Sequence, residues 1–177
     1  MTATFVSRAC LVAGLSLTIV AAQAAGLEDM PKRKPGLWEV SMAPANDKQG
    51  TITSRVCIDA ATDAALTSFG LGIANQMCSK HDIRVSGNVA TIDTVCKIGE
   101  SQQTSHSTLT YTGNDAYRID VRSHFDPPFL GKSDSTMTQF ARWTGACPAD
   151  MKPGDLVMGN GMRINLKDMT GARQPPR

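Results

Sequence analysis

The chain predicts a mainly β domain, a β-rich α+β fold in which an antiparallel meander forms a curved sheet or partly closed barrel with one inserted helix. Three observations predict it. Segments with period-two alternation recur between clusters of Gly, Pro, Asn and Asp. Two pairs of these segments fold back into hairpins whose registers collect apolar residues on one face. Only one stretch carries convincing helical spacing.

Leu37 to Met42 alternates, with Trp38, Val40 and Met42 on one face and Glu39 and Ser41 on the other. Ala45 to Gly50 is a turn, and Thr51 to Ile58 returns as a second strand with Ile52, Val56 and Ile58 on one side. Asp59 can cap a helix whose apolar stripe is Leu66, Phe69 and Ile73, with Gly70 and Gly72 weakening its end. A two-residue Gly87-Asn88 turn sets Ser86 against Val89, Val85 against Ala90 and Ile83 against Ile92. That register leaves Cys96 opposite Ser79 and puts Cys78 on the other side or outside the strand. A loop centred on Asn114 sets Tyr111 against Tyr117 and Leu109 against Ile119, with His106 and Arg122 paired on the polar face. Asp126-Pro127-Pro128 is expected to break the pattern, Phe129 to Asp134 to form a loop, and Thr136 to Trp143 to be the last long strand. A short strand is expected at Met162 to Leu166.

The N-terminus has the grammar of a secretory signal: Arg8, an uncharged run from Ala9 to Val20, and Ala22-Gln23-Ala24 as an A-x-A site. The run is shorter than the ~20 apolar residues of a membrane span. Cleavage after Ala24 and periplasmic localisation follow. The chain then divides into a signal peptide (1–24), a linker (25–34), a single disulfide-stapled β-rich domain (35–170) and a flexible tail (171–177). The sequence has 18 Lys and Arg against 16 Asp and Glu, and loss of Arg8 leaves the mature chain close to neutral. Nucleic acid, which demands a basic stripe, is therefore not an expected partner. Lys32, Arg33 and Lys34 are the only local basic cluster and read as a solvated tail.

Cys10 lies in the signal, which leaves Cys57, Cys78, Cys96 and Cys147, an even set suited to two disulfides in an oxidising compartment. Because Cys78 and Cys96 fall on different faces in the register above, the expected pairs are Cys57 with Cys78 and Cys96 with Cys147. No C-x-x-C or Cys/His pair has zinc spacing, and the methionines around Met158 and Met162 form no tight copper motif, so neither metal nor cofactor is expected.

Lys34-Pro35-Gly36-Leu37-Trp38-Glu39-Val40, Cys57, the Cys78/Cys96 pair flanking a hairpin, and Arg142-Trp143-Thr144-Gly145-Ala146-Cys147 together resemble the secreted bacterial "PGLWE" family of four-cysteine proteins, a domain of unknown function. The resemblance runs from about Lys34 to about Leu166. It implies export and a β-rich fold, and it carries no catalytic residues.

Candidate chemistry is sparse. There is no G-x-S-x-G elbow. His124 and Asp126 are the most enzyme-like neighbours and would serve an envelope-directed hydrolase, although a strand-end histidine beside an Asp-Pro turn is the simpler reading. Asp82 and Asp93 face each other across a hairpin, on its polar side. The expectation is therefore a non-enzymatic, exported protein that binds an apolar small molecule or an envelope protein partner, with no transmembrane segment in the mature chain. Trp38, Met42, Tyr111, Tyr117 and Trp143 are its candidate ligand-binding residues. A structural or inhibitory interaction module is the remaining alternative.

Overall fold

The computed structural model describes residues 29–44, 50–166 and 168. The expected signal peptide and its cleavage point, most of the turn expected at Ala45 to Gly50, and the expected 171–177 tail lie outside the described residues. The elements are β1 (Gly36–Pro44), β2 (Ile52–Ile58), α1 (Ala60–Met77), β3 (Cys78–Ser86), β4 (Val89–Ile98), β5 (Ser101–Thr112), β6 (Ala116–Phe129), β7 (Lys132–Gly145), β8 (Asp155–Met158) and β9 (Arg163–Asn165). All strands join one antiparallel, curved sheet in the order β3-β4-β5-β6-β7-β1-β2-β8-β9, which stays open rather than closing into a barrel.

Both expected hairpin registers are present. Val85 pairs with Ala90 and Ile83 with Ile92, while Tyr111 pairs with Tyr117, Leu109 with Ile119 and His106 with Arg122. The cysteine pairing differs from expectation, for a local reason. The β3–β4 ladder keeps the expected register from Ser86 back to Lys80 and then slips by one residue at Ser79, so that Cys78 faces Cys96 and is bonded to it. A bulge of one residue reverses facing parity, and that inversion defeated the geometric objection to this pair. Cys57 is bonded to Cys147 instead of Cys78. It lies opposite Leu37, which on its other side faces Gly145, and the chain past β7 then brings Cys147 back to it.

The Pro-Gly-Leu-Trp-Glu segment and the late Arg-Trp-Thr-Gly segment are neighbours across the β1–β7 ladder. Trp38 pairs with Trp143 and Glu39 with Arg142, whose guanidinium donates to Glu39 Oε1 at 2.7 and 3.0 Å. Trp38 is fully buried and donates Nε1–H to the Lys34 carbonyl, while Trp143 donates to the Pro35 carbonyl at 3.0 Å. Trp38, Val56, Ile58, Tyr111, Tyr117 and Ala141 form the centre of the core.

Three further expectations change. Strand β6 does not stop at Asp126-Pro127-Pro128: it continues through an irregularity between His124 and Phe129, the kind of position where a sheet accepts proline, and the expected 129–134 loop shrinks to a tight turn at Leu130 and Gly131. That tip is apolar, with Leu130 86% exposed. Helix α1 runs unbroken through Gly70 and Gly72, starting as expected from Asp59, whose carboxylate accepts the Thr62 N–H at 2.7 Å. Finally, the segment before β1 is no solvated tail. Met30 is buried, Arg33 is held by Asp63, and the Lys34 N–H donates to the Asn114 carbonyl.

Candidate functional site

Cross-strand rows on the face beneath α1 define a floor. Tyr111 and Tyr117 form one row, Leu109 and Ile119 the next, Ile83 and Ile92 the next with Ser107 between Ile92 and Val121, and His81 and Thr94 the last. Above them, α1 presents Leu66, Thr67, Gly70, Leu71 and Ala74, an i, i+1, i+4, i+5, i+8 set that shares one side of a helix. Because two of those five residues have almost no side chain, the helix does not fill the space below it. A cavity of about 410 Å³ remains between helix and sheet, within the size range of small-molecule sites.

The expected stripe Leu66, Phe69 and Ile73 contributes only Leu66 to this lining; Phe69 and Ile73 are half-buried elsewhere on the helix. Of the five candidate ligand-binding residues, Tyr111 and Tyr117 line the cavity. Trp38 is packed in the core against Tyr117, ring centroids 5.7 Å apart. Trp143 lies under the Lys34 ammonium, 3.7 Å from its ring centroid, and Met42 sits on β1 opposite Gln139 of β7. None of these three lines the cavity: Trp38 and Met42 belong to β1, beyond β7 from the floor, and Trp143 to β7 itself.

One end of the cavity is polar. Arg33 comes from the segment before β1, and its Nε–H donates to Asp63 Oδ1 at 2.5 Å, with side-chain exposures of 15% and 13%. The guanidinium also lies 5.9 Å from the Tyr117 ring centroid. Burial alone disfavours its charge, but Tyr117, Asp63 and Tyr111 together outweigh burial and hold the Arg33 pKa above its ordinary value. Burial pushes the Tyr111 phenol up, partly opposed by the Arg33 charge, so this hydroxyl keeps its proton and can donate. Nothing in the local residue pattern points to Arg33 in this role, because its partner stands thirty residues away.

The opposite face of the sheet carries the other candidates. His124 does not pair with Asp126. Its Nδ1 meets Asp134 at 2.9 Å across the β6–β7 ladder, with His124 60% exposed. Asp82 and Asp93 are register partners as expected, but each carboxylate is engaged: Asp82 with Lys80 at 3.0 Å, and Asp93 with His106 at 2.7 Å and Arg84 at 3.3 Å. The hydrogen bond to His106, aided by nearby positive charge, lowers the Asp93 pKa. A carboxylate held as an anion does not serve as the raised-pKa acid of the carboxyl pair that glycoside hydrolysis uses. Among the described residues, no cluster of three or more His, Cys, Asp or Glu could hold a metal, and no helix is long and apolar enough to cross a membrane.

A family model described as "protein of unknown function", DUF3617, matches residues 33–147. The chain belongs to the DUF3617 family. Neither the curated proteins nor the solved structures contain a match. The DUF3617 segment begins at the cavity arginine and ends at the last disulfide cysteine, so it holds β1 to β7, α1, both disulfides and every cavity-lining residue except Met30. Strands β8 and β9 lie beyond it.

Proposed function

We propose that this DUF3617 protein is exported to the periplasm, with its signal cleaved after Ala24, and there binds an apolar small molecule between α1 and the sheet without turning it over. The single observation that carries this reading is the cavity of about 410 Å³. Its lining is mainly apolar and open to solvent, so an apolar occupant takes that surface out of water. The two disulfides fit an oxidising compartment. A protein partner in the envelope is the second reading, favoured by the exposed apolar tip at Phe129 and Leu130.

The test is a dodecanol titration of the exported protein, read by native mass spectrometry, on wild type and two helix variants. A Cβ at Gly70 meets nothing within 4 Å, and Gly70 lines the cavity, so Gly70→Leu places its side chain in the binding space. Gly72→Leu adds the same side chain to the same helix outside the lining. Each substitution removes a helical glycine, worth about 0.8–1 kcal/mol of helix propensity, so neither is expected to lose stability. A one-to-one complex is expected for wild type and Gly72→Leu and none for Gly70→Leu. Equal occupancy of both variants, or an unoccupied wild type, overturns the reading.

A further inference from the structure

We propose that the ligand is a carboxylic acid with an elongated apolar tail, its carboxylate gripped by the terminal amino groups of Arg33 and its tail lying along the sheet toward His81 and Thr94. This rests on the cavity reading above and specifies the chemistry of its occupant.

An arginine carries five N–H donors. Asp63 takes the Nε–H of Arg33 and weakly accepts the Arg33 main-chain N–H at 3.4 Å. Among the described residues no acceptor is bonded to the four N–H groups on the two terminal nitrogens. These donors belong to a side chain only 15% exposed that lines the cavity. Among the described residues Thr62 Oγ1 is the buried side-chain polar atom without a partner, so solvent reaches the terminal nitrogens of Arg33 and an acceptor entering the cavity can take its place. Planar, bidentate carboxylate is the group that the terminal edge of a guanidinium fits. Asp63 decides against a phosphate monoester: a dianion beside that carboxylate would meet a site in which one positive charge is already matched, whereas a monoanion shares Arg33 with it. Tyr111, on the same rim, keeps its proton and offers one more donor.

The rest of the lining is mainly apolar and elongated, with Thr67 on the helix and His81 and Thr94 at the far end. From the Tyr111 row to the row of Thr94 and Ser105 is six residues of β5, about 20 Å at the usual strand rise. The floor between them is Leu109, Ile119, Ile83 and Ile92. A site charged at one end and apolar over that length discriminates an amphiphile by orientation, head to Arg33 and tail beneath α1.

Dodecanoic acid and dodecanol, identical in tail, are titrated against the exported protein by native mass spectrometry and by calorimetry. Wild type is expected to bind the acid at least about tenfold more tightly than the alcohol, the scale of one charge-assisted bidentate pair after desolvation. Arg33→Gln combined with Asp63→Asn removes both charges without stranding either, and is expected to bring the two affinities within about twofold while dodecanol affinity stays near wild type. Circular dichroism shows whether the pair of substitutions folds; if it does not, the acid-to-alcohol ratio of the wild type decides alone. Equal binding of acid and alcohol by wild type overturns the carboxylate assignment and leaves the apolar cavity standing. So does an acid preference that survives in the double variant. Failure of wild type to bind either probe overturns the cavity reading itself.

Discussion

Replacing Gly36 by alanine tests whether the junction between β1 and β7 depends on a backbone that only glycine can supply. Gly36 has φ +135°, and a Cβ there would overlap the Gly145 carbonyl oxygen and stand 2.5 Å from Trp143 Nε1. The carbonyl is backbone within the ladder, so both the β1–β7 backbone and the indole must shift. The dihedral strain is worth about 1–3 kcal/mol. Displacing Trp143 loses its hydrogen bond to the Pro35 carbonyl, about 1 kcal/mol, and the Lys34 ammonium stacked on its ring, about 0.5–1 kcal/mol. The sum is a loss of about 2.5–5 kcal/mol from a stability of roughly 5–15 kcal/mol. With a urea m-value of about 2 kcal/mol/M, the unfolding midpoint falls by about 1.2–2.5 M, read by tryptophan fluorescence. Gly87→Ala is the control, because Gly87 has φ +60° and open space around its missing Cβ. It should cost about 1 kcal/mol, from conformation alone. A Gly36→Ala shift no larger than that of Gly87→Ala refutes the steric part of the argument.

Non-reducing peptide mapping should recover Cys57 linked to Cys147 and Cys78 to Cys96; any Cys57–Cys78 peptide contradicts the fold. In the chain-entropy model, the bond that closes a separation of 90 residues stabilises by about 4.6 kcal/mol and the one that closes 18 by about 3.2 kcal/mol. Paired alanine substitutions at 57 and 147 should therefore lower the urea midpoint more than those at 78 and 96, and the reverse order would refute the ranking. Asp120 is held by Arg118 and Thr138, and its pKa falls to about 2. A depressed folded-state pKa means that its stabilising contribution is present above the ordinary carboxylate value of 3.8 and disappears as pH drops toward 2. Carboxyl NMR should place its titration near pH 2, moving up toward the ordinary value in Arg118→Ala, and a wild-type midpoint near 4 would contradict the assignment.

Regular alternation was readable and its interruptions were not. The 104–125 hairpin could be aligned residue by residue because apolar residues recur every second position on both strands and the loop length fixes the register. The same reasoning held through Lys80 and failed one residue later, since Ser79 carries no sign that it is extra. Proline at 127 and 128 signals the end of a ladder, yet the ladder resumes at Phe129 opposite Lys132, so the chain loses pairing only briefly. The cavity was hidden for a different reason. Hydrophobic periodicity weights large side chains, and the helix turns small ones, Gly70 and Ala74, toward the sheet. Arg33 looked solvated because charge is visible in a sequence while a partner thirty residues distant is not. Tyr111 and Tyr117 were found because their cross-strand pairing placed them on the apolar face beside Leu109 and Ile119.

The cavity follows from how the chain crosses its own sheet. β2 and β3 are consecutive in sequence apart from α1, yet they are separated in the sheet by β4, β5, β6, β7 and β1. Six inter-strand spacings of about 4.8 Å amount to roughly 29 Å along the sheet. Helix α1 has 18 residues, which at 1.5 Å per residue span about 27 Å. The helix is thus long enough to be the whole crossover, and it leads directly from β2 into Cys78 at the start of β3. Its principal contacts are correspondingly with β2 at one end and with β3 and β4 at the other. A straight rod laid across a curved sheet is a chord across an arc: it meets the surface near its ends and stands away from the middle. The strands beneath that middle are β5 and β6, the ones that supply Leu109, Tyr111, Tyr117 and Ile119 to the cavity floor. Breaking the helix at Gly70 and Gly72 would let it sag and close the gap. Capping by Asp59 and the direct splice into β3, which the Cys78–Cys96 bond anchors, hold both ends and keep the rod straight. The unfilled space is therefore a property of topology and helix length, and the small residues facing the sheet preserve it where larger ones would have filled it.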